Sequence, residues 1–187
     1  MSSAASRKWT NIRRSIQVYI GNTVTVDGYD APVFHDYYYG DPDSLRDATG
    51  QEYRAWIETS FIQQTAGRKG SALLQVDCYS RVGEEGSPSA DPFGMFVDDL
   101  ADEVLAPFSG LKTSGIQKGI FHVFDYADVN NPVDANMCLY MINSEGHVGE
   151  PEDRKRLDFY QDFRRVTLTL RFQLIQDMAG PAAFYTT

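Results

Sequence analysis

The residues best suited to chemistry are four carboxylates in a segment with helical periodicity. Asp98 and Asp102 stand four residues apart, and so do Asp99 and Glu103, so each pair shares one face of a helix. Carboxylates in this arrangement can bind a divalent cation, and a metal-dependent nuclease is one hypothesis for them. They also suit the exposed side of an amphipathic helix, which is the interpretation we prefer. A further alternative is an acidic wall of a channel through which DNA slides.

Other catalytic signatures are missing from the sequence. The histidines His35, His122 and His147 form no HExxH motif, and no cysteine pair has metal-ligand spacing. There is no GxSxG nucleophile elbow, and GRKGS at 67–71 lacks the spacing of a phosphate-binding loop. We therefore predict no cofactor and no metal.

The two cysteines, Cys78 and Cys138, each lie in a strand-like apolar run. Free cysteine packs like a small hydrophobic residue, so we expect two reduced, buried thiols rather than a catalytic nucleophile. The sequence leaves a disulfide between them open.

Length and net charge limit the classes of protein to which this chain can belong. The 187 residues suit one domain with a real core, and the net charge of −9 makes a grip on nucleic-acid phosphates unfavourable. Such a chain can still surround DNA without adhering to it. No apolar run reaches the roughly 18 residues of a membrane span, and the polar start MSSAASRKW predicts no secretory signal, so we expect assembly in a cytoplasm.

The first element is a predicted helix beginning at Trp9. Its apolar residues recur at helical spacing, namely Ile12, Ile16, Tyr19 and Ile20. Thr10 or Asn11 is expected to cap its start, and Gly21 to end it. A short strand at 24–26 and an Asp27-Gly28 turn follow.

Residues 53–81 predict a long antiparallel hairpin with a basic tip. Ala55, Ile57, Thr59 and Phe61 alternate with Trp56, Glu58, Ser60 and Ile62, and SALLQVDCYSR at 71–81 alternates in the same way. Within the returning strand we expect Leu74, Val76 and Cys78 in the core. Asp77 is expected to pair with a polar group or a cation of a neighbouring strand.

A second helix is predicted to begin at Asp91-Pro92, with Pro107 and Gly110 marking its end. Its apolar stripe comprises Phe93, Phe96, Val97, Leu100 and Val104. Further strands are predicted at 119–126, 136–142 and 166–175, whereas the charged segment 143–161 is expected to be an exposed excursion. The fold class is therefore α+β, with a mainly antiparallel sheet packed against two helices.

Aromatic residues crowd the segment 34–39. Tyr37, Tyr38 and Tyr39 are too dense to lie all inside one small domain, and tyrosine is common at protein interfaces. We expect an interface there, with a small-molecule site in the same segment as an alternative.

The order of these elements resembles the tail terminator, or tail completion, proteins of long-tailed bacteriophages. LLQVDCYSRV at 73–82 and FVDDLADEVLAPF at 96–108 carry the resemblance, after an N-terminal helix and the segment VTVDGYDAPVF. It covers roughly residues 9–110 and 166–175 of a single domain spanning 1–187. The additional length falls at about 38–52 and 143–163, which we interpret as insertions.

The resemblance implies a structural virion protein without covalent chemistry. Such proteins form a ring, commonly of six copies, at the head-proximal end of the tail tube. The ring ends tube polymerisation and joins the tail to the head, and DNA passes through its lumen. The implied partners are further copies of the chain, the tail tube protein and a head-completion or adaptor protein, with no membrane. A head-closure, adaptor or tail tube ring protein of the same neck region is the alternative.

Two sets of residues receive expected roles in such a ring. Those expected at the subunit interface are Tyr37, Tyr38, Tyr39, Arg68, Lys69, Tyr79 and Arg81. Those expected on an acidic surface or lumen are Asp98, Asp99, Asp102 and Glu103.

Overall fold

A computed structural model gives the fold, and it describes residues 7–35, 49–50, 53–65, 69–82, 95–109, 120–145, 147, 149–157 and 163–176. The two helices are α1 (Lys8–Thr23) and α2 (Met95–Ser109). The strands are β1 (Thr25–Val26), β2 (Tyr29–Asp30), β3 (Val33–His35), β4 (Ala55–Gln64), β5 (Lys69–Arg81), β6 (Ile120–Asp125), β7 (Val133–Met141), β8 (Asp153–Leu157) and β9 (Phe163–Gln176).

Seven strands form one strongly curled sheet, and the small β1–β2 hairpin stands beside it. The strand order is β3-β4-β5-β9-β7-β6, and β8 pairs with the same edge of β9 as β7 does. Only β3 and β4 are parallel; the other pairs are antiparallel. The predicted α+β class is confirmed, and so is the long hairpin, which is β4 and β5.

Alternation along the two central strands separates the faces of the sheet. In β5, Leu74, Val76 and Cys78 are fully buried on the face that both helices cover. The facing residues of β9, Leu170, Leu168 and Val166, are equally buried. These residues join the apolar stripes of the helices in one core, as period-two and period-3.6 patterning predict. We call the opposite side of the sheet the outer face.

One residue of β4 departs from the predicted alternation. The register against β5 shifts between Phe61 and Gln63, which leaves Ile62 as the extra residue of a bulge. Ile62 was predicted to share a face with Trp56, but it is 54% exposed whereas Trp56 is buried. An inserted residue interrupts the two-residue period, so the register predicted for β4 holds as far as Phe61.

Helix α1 lies along both outermost strands of the sheet. At β3, the Gln17 side-chain amide donates to the Val33 carbonyl at 3.3 Å. At β6, the Ser15 hydroxyl accepts a hydrogen bond from the Phe124 amide at 2.9 Å. The curl brings β3 and β6 near one helix, and α1 thereby covers edges that would otherwise pair with another chain.

The predicted ends of α1 are wrong. Neither Thr10 nor Asn11 caps it, since no side chain accepts a hydrogen bond at its start. Asn11 is buried inside the helix and donates to Asp125 Oδ1 at 3.2 Å, a contact spanning more than a hundred residues. The helix also continues past Gly21 to Thr23. Tertiary contacts of α1 override the local capping signals.

The segment 143–161 is not wholly an exposed excursion. Residues Asp153–Leu157 form β8, which pairs with β9 from Asp153↔Thr169 to Leu157↔Arg165. Glu152, just before it, is bound by two nitrogens of the Arg171 guanidinium, both at 3.1 Å. Backbone pairing and an ion pair order a sequence whose composition predicts a loop.

Candidate functional site

The outer face carries an aromatic cluster at the β4–β5–β9 junction. The rings of Trp56 and Tyr79 stack with centroids 4.9 Å apart and planes 8° apart. Phe163 meets Trp56 edge-on at 5.2 Å, and the Arg81 guanidinium lies 5.0 Å from the Phe163 ring. Arg81 Nε also donates to the Tyr53 carbonyl at 2.9 Å. Tyr79 and Arg81 therefore have internal partners, and their role at a subunit interface stays a prediction.

A polar row crosses the same face beside the aromatic cluster. Glu58 of β4 faces Asp77 of β5, which in turn faces Thr167 of β9. The Thr167 hydroxyl donates to Asp77 Oδ1 at 2.5 Å, and the Gln75 amide donates to Oδ2 at 2.7 Å. The prediction that Asp77 pairs with a polar group of a neighbouring strand is confirmed. Both oxygens of this buried carboxylate thus have donors, which its burial requires.

In that row, the surroundings of Glu58 disfavour its charged form. Burial raises the pKa of Glu58, and the neighbouring Asp77 carboxylate raises it further. A hydrogen bond from Trp56 Nε1 at 3.2 Å and the nearby Arg165 charge act in the opposite direction but do not reverse it. The raised pKa means that the folded protein holds a proton on Glu58 more tightly than the unfolded chain does.

We expect the Glu58→Gln substitution to stabilise the folded protein at neutral pH. Glu58 has a raised pKa in the folded state. The stability that its protonated form contributes is therefore present at low pH and is lost as pH rises through that folded-state pKa. The stability advantage of the glutamine variant over the parent should therefore grow with pH. Urea denaturation at several pH values measures it. Glu103→Gln, at an exposed carboxyl of α2, is the matched control. An advantage that shrinks with rising pH would contradict this assignment.

The predicted acidic surface of α2 meets cations of β8. Arg156 Nη1 lies 3.0 Å from Asp98 Oδ2, and Arg154 Nη2 lies 3.3 Å from Asp98 Oδ1. Arg154 also binds Asp102 through Nη1. Asp98 and Asp102 share one helical face, as their spacing predicts, but that face is occupied by arginines. Asp99 and Glu103 are exposed.

This pairing bears directly on the nuclease hypothesis. A metal at Asp98 and Asp102 would have to displace two guanidinium groups that already neutralise them. Within the described parts of the chain, no three His, Cys, Asp or Glu side chains are grouped so that they could hold a metal ion. Asp98 and Asp102 of α2 are thus arranged for ion pairing with β8.

The two thiols lie on opposite faces of the sheet. Both are free and buried, Cys78 on the core face and Cys138 on the outer face, so the disulfide left open by the sequence is not formed. Burial raises the pKa of both thiols, that of Cys138 to about 11. Cys138 Sγ lies 3.7 Å from His122 Nδ1, which lies 3.7 Å from Asp134 Oδ2. A raised pKa is the opposite of what a nucleophilic thiol needs.

Both thiols are expected to react slowly with a disulfide reagent at pH 8. A pKa near 11 leaves far less thiolate than in a free cysteine, so Cys138 should react on the order of a hundredfold more slowly. Two equivalents should react at once in denaturant. A Cys138→Ser variant assigns the remaining reaction to Cys78. Native reaction at the rate of a free thiol would show that the Cys138 site is open.

Several predicted site residues lie outside the described part of the chain. They are Tyr37, Tyr38, Tyr39 and Arg68, with Phe93 and the Asp91-Pro92 helix start. Lys69 begins β5, but its side chain is not described. From the proposed ligand segment 34–39, the Phe34 ring meets Tyr53 edge-on at 6.2 Å. Their expected roles stay predictions.

Two features of the described structure were not predicted from the sequence. The stack of Trp56 on Tyr79 follows from the hairpin register, because the two residues face each other across β4 and β5. That signal was available, since both aromatics fall on the polar side of predicted strands. The pairing of β8 with α2 had no local signal, because it joins segments about fifty residues apart.

Neither protein-family models nor curated protein sequences give a match to this chain. Of the two helices described, neither is long and apolar enough to cross a membrane.

Proposed function

We propose that this chain is a structural virion protein of the tail terminator type. It forms a ring at the head-proximal end of a phage tail tube, ends polymerisation of the tube and joins the tail to the head. DNA passes through the lumen of the ring. The chain performs no covalent chemistry in this role.

The segments that carry the family resemblance are neighbours in the core. LLQVDCYSRV supplies the second half of β5, a central strand that pairs with both β4 and β9. FVDDLADEVLAPF supplies most of α2, whose Val97, Leu100 and Val104 are fully buried in the same core. A resemblance in two contiguous, mutually packed elements supports a shared fold, and the function rests on that likeness.

The observation that carries the proposal is the engagement of two of the four α2 carboxylates and of both thiols. Asp98 and Asp102 are paired with arginines of β8, and both thiols are buried with raised pKa values. These contacts favour a structural role over the nuclease alternative. Among the described residues, they direct the proposal toward surfaces and strand edges as the functional parts.

Charge suits the proposed passage of DNA. A ring of six copies, each with a net charge of −9, would carry roughly −54. Acidic walls repel phosphates, whereas basic walls would hold DNA through released counterions. Asp99 and Glu103 remain exposed on α2 and are the described residues we assign to such a surface.

Electron microscopy of negatively stained samples tests the proposal, with the purified protein alone and after mixing with preformed tail tubes. We expect rings of about six copies, or rings at one end of each tube, and tubes that no longer elongate. Native mass spectrometry gives the copy number. Growth of the chain alone into long tubes would instead identify a tube subunit. Binding to the head vertex with no binding to tube ends would identify a head-closure or adaptor protein.

The enzymatic alternative needs its own assay. DNA cleavage that requires magnesium and is lost in Asp98→Asn and Asp102→Asn variants would overturn the structural role. Asp128→Asn is the matched control, because Asp128 is an exposed carboxylate outside α2.

A further inference from the structure

Strand β8 has a backbone edge that no described strand pairs with. β8 pairs with β9 on one side only, whereas α1 covers the outer edges of β3 and β6. Asp153, Arg154, Lys155 and Arg156 are all exposed. An edge strand with unpaired amides and carbonyls is a template for pairing with another chain.

The charges of β8 argue against pairing with itself. In a fully overlapping antiparallel pair of β8 strands, Lys155 would face Lys155 and Arg154 would face Arg156. Like charges directly opposite each other destabilise a strand pair. Two of the cations already bind α2, but no described carboxylate lies within ion-pair distance of Lys155. The edge therefore favours a partner that brings negative charge.

The β6–β7 turn and the start of β7, residues 126–136, supply a surface of that kind. We call this segment the acidic tip. It has the carboxylates Asp128 and Asp134 and no lysine or arginine. Val129 is 61% exposed and Val133 is 55% exposed. Val133 and Asp134 pair with β6, and no described strand pairs with their other edge. The acidic tip thus combines negative charge, exposed apolar surface and an unpaired strand edge.

One chain cannot join its own β8 to its own acidic tip. Lys155 of β8 pairs with Thr167 of β9. The tip precedes Met137 of β7, and Met137 pairs with Gln176 at the end of β9. About 30 Å of strand separates these positions. A contact between β8 and the tip must therefore join two copies, and unless it is reciprocated within a two-fold dimer, it repeats head to tail. Head-to-tail contacts produce rings when the rotation closes.

We infer that β8 of one copy binds the acidic tip of the next, with Lys155 facing the carboxylates and Val129 packing at the strand edge. The closure of these contacts into a ring rests on the proposed function. The occupant of the β8 edge, with which no described strand pairs, is a second copy of this chain.

Chemical cross-linking tests the contact. A Lys155→Cys/Val129→Cys double variant, treated with a bifunctional maleimide, should yield a ladder of covalent oligomers. Each single variant should yield no covalent oligomers. The parent protein shows whether the native thiols Cys78 and Cys138, which are buried, form cross-links of their own. The Lys155→Cys/Arg14→Cys pair is the matched control, because Arg14 is exposed on α1. The reactions are run on the free protein and on the protein mixed with tail tubes.

Two results would overturn the inference. One is a ladder no stronger than that of the control pair under both conditions. The other is a covalent dimer from Lys155→Cys alone, which would place β8 against β8. All variants alter exposed positions, and thermal melting verifies that they fold. A ladder without capping of tubes would retain the inference and reject the proposed function, whereas capping without a ladder would do the reverse.

Charge reversal gives a second measurement. Lys155→Glu should weaken self-association about tenfold, because it sets a carboxylate against the carboxylates of the tip. Arg14→Glu makes the same change in net charge on α1 and should leave association unchanged. Sedimentation at low and moderate salt measures both variants, and equal effects of the two would contradict the contact.

Discussion

Replacement of Trp56 by alanine is expected to lower the free energy of unfolding by about 3–5 kcal/mol. The side chain is 1% exposed although it lies on the outer face, away from both helices. It stacks on Tyr79, meets Phe163 edge-on and donates to Glu58. The substitution removes these contacts and leaves a cavity that the sheet, held by pairing on both sides of β5, cannot collapse to fill. Urea denaturation followed by circular dichroism measures the loss.

Two further variants separate packing from hydrogen bonding at this position. Trp56→Phe keeps an aromatic ring against Tyr79 but loses the hydrogen bond to Glu58, so it should cost less than half as much as alanine. Ile62→Ala truncates an exposed residue of the same strand and should change stability by about 0.5 kcal/mol or less. If Trp56→Ala costs no more than Ile62→Ala, the outer aromatic cluster contributes nothing to stability.

Replacement of Asp125 by alanine is expected to cost about 2–3 kcal/mol. This buried carboxylate accepts hydrogen bonds from Arg7 at 2.8 Å, Asn11 at 3.2 Å and the Ala127 amide at 3.1 Å. Without it, Asn11 loses its acceptor in a buried site and Arg7 loses its ion pair. The contact that holds the start of α1 against the end of β6 is then lost.

The matched control is Asp128→Ala, three residues away. Asp128 is exposed, accepts one hydrogen bond from the Asn130 amide at 3.0 Å, and its loss makes the same change in net charge. It should cost no more than about 1 kcal/mol. Hydrogen exchange of the Phe124 amide, which donates to Ser15, should accelerate in the Asp125 variant alone. Equal exchange in both variants would show that Asp125 does not hold α1 on β6.

Both sites lie where elements of the described structure cover one another. Helix α1 covers both outermost strands, and the aromatic cluster covers part of the outer face. By contrast, no described strand pairs with the second edge of β8 or with the second edge of Val133 and Asp134 in the acidic tip. Two separate surfaces of opposite charge on one copy, as inferred for β8 and the acidic tip, permit a repeating head-to-tail assembly.

The sequence by itself determined the central elements. Strict alternation in β5 and β9 and the apolar stripes of α1 and α2 predict the strands, the helices and most of the core, because these periods follow from local backbone geometry. The Asp27-Gly28 turn is likewise local: both residues have positive φ, at 50° and 74°, as a tight hairpin turn requires. The burial of Cys78 and the donor for Asp77 followed from the same alternation.

Only the tertiary structure decided how the charged and polar residues are used. β8 has no alternation to reveal it, since its pairing depends on β9 and its arginines on the carboxylates of α2. Asn11 looks like a helix cap, yet it serves Asp125 of β6. The bulge at Ile62 depends on the register against β5. Periodicity reports which face of an element is apolar, but it carries no information on partners distant in the chain, and those partners decide which edges and charges remain exposed.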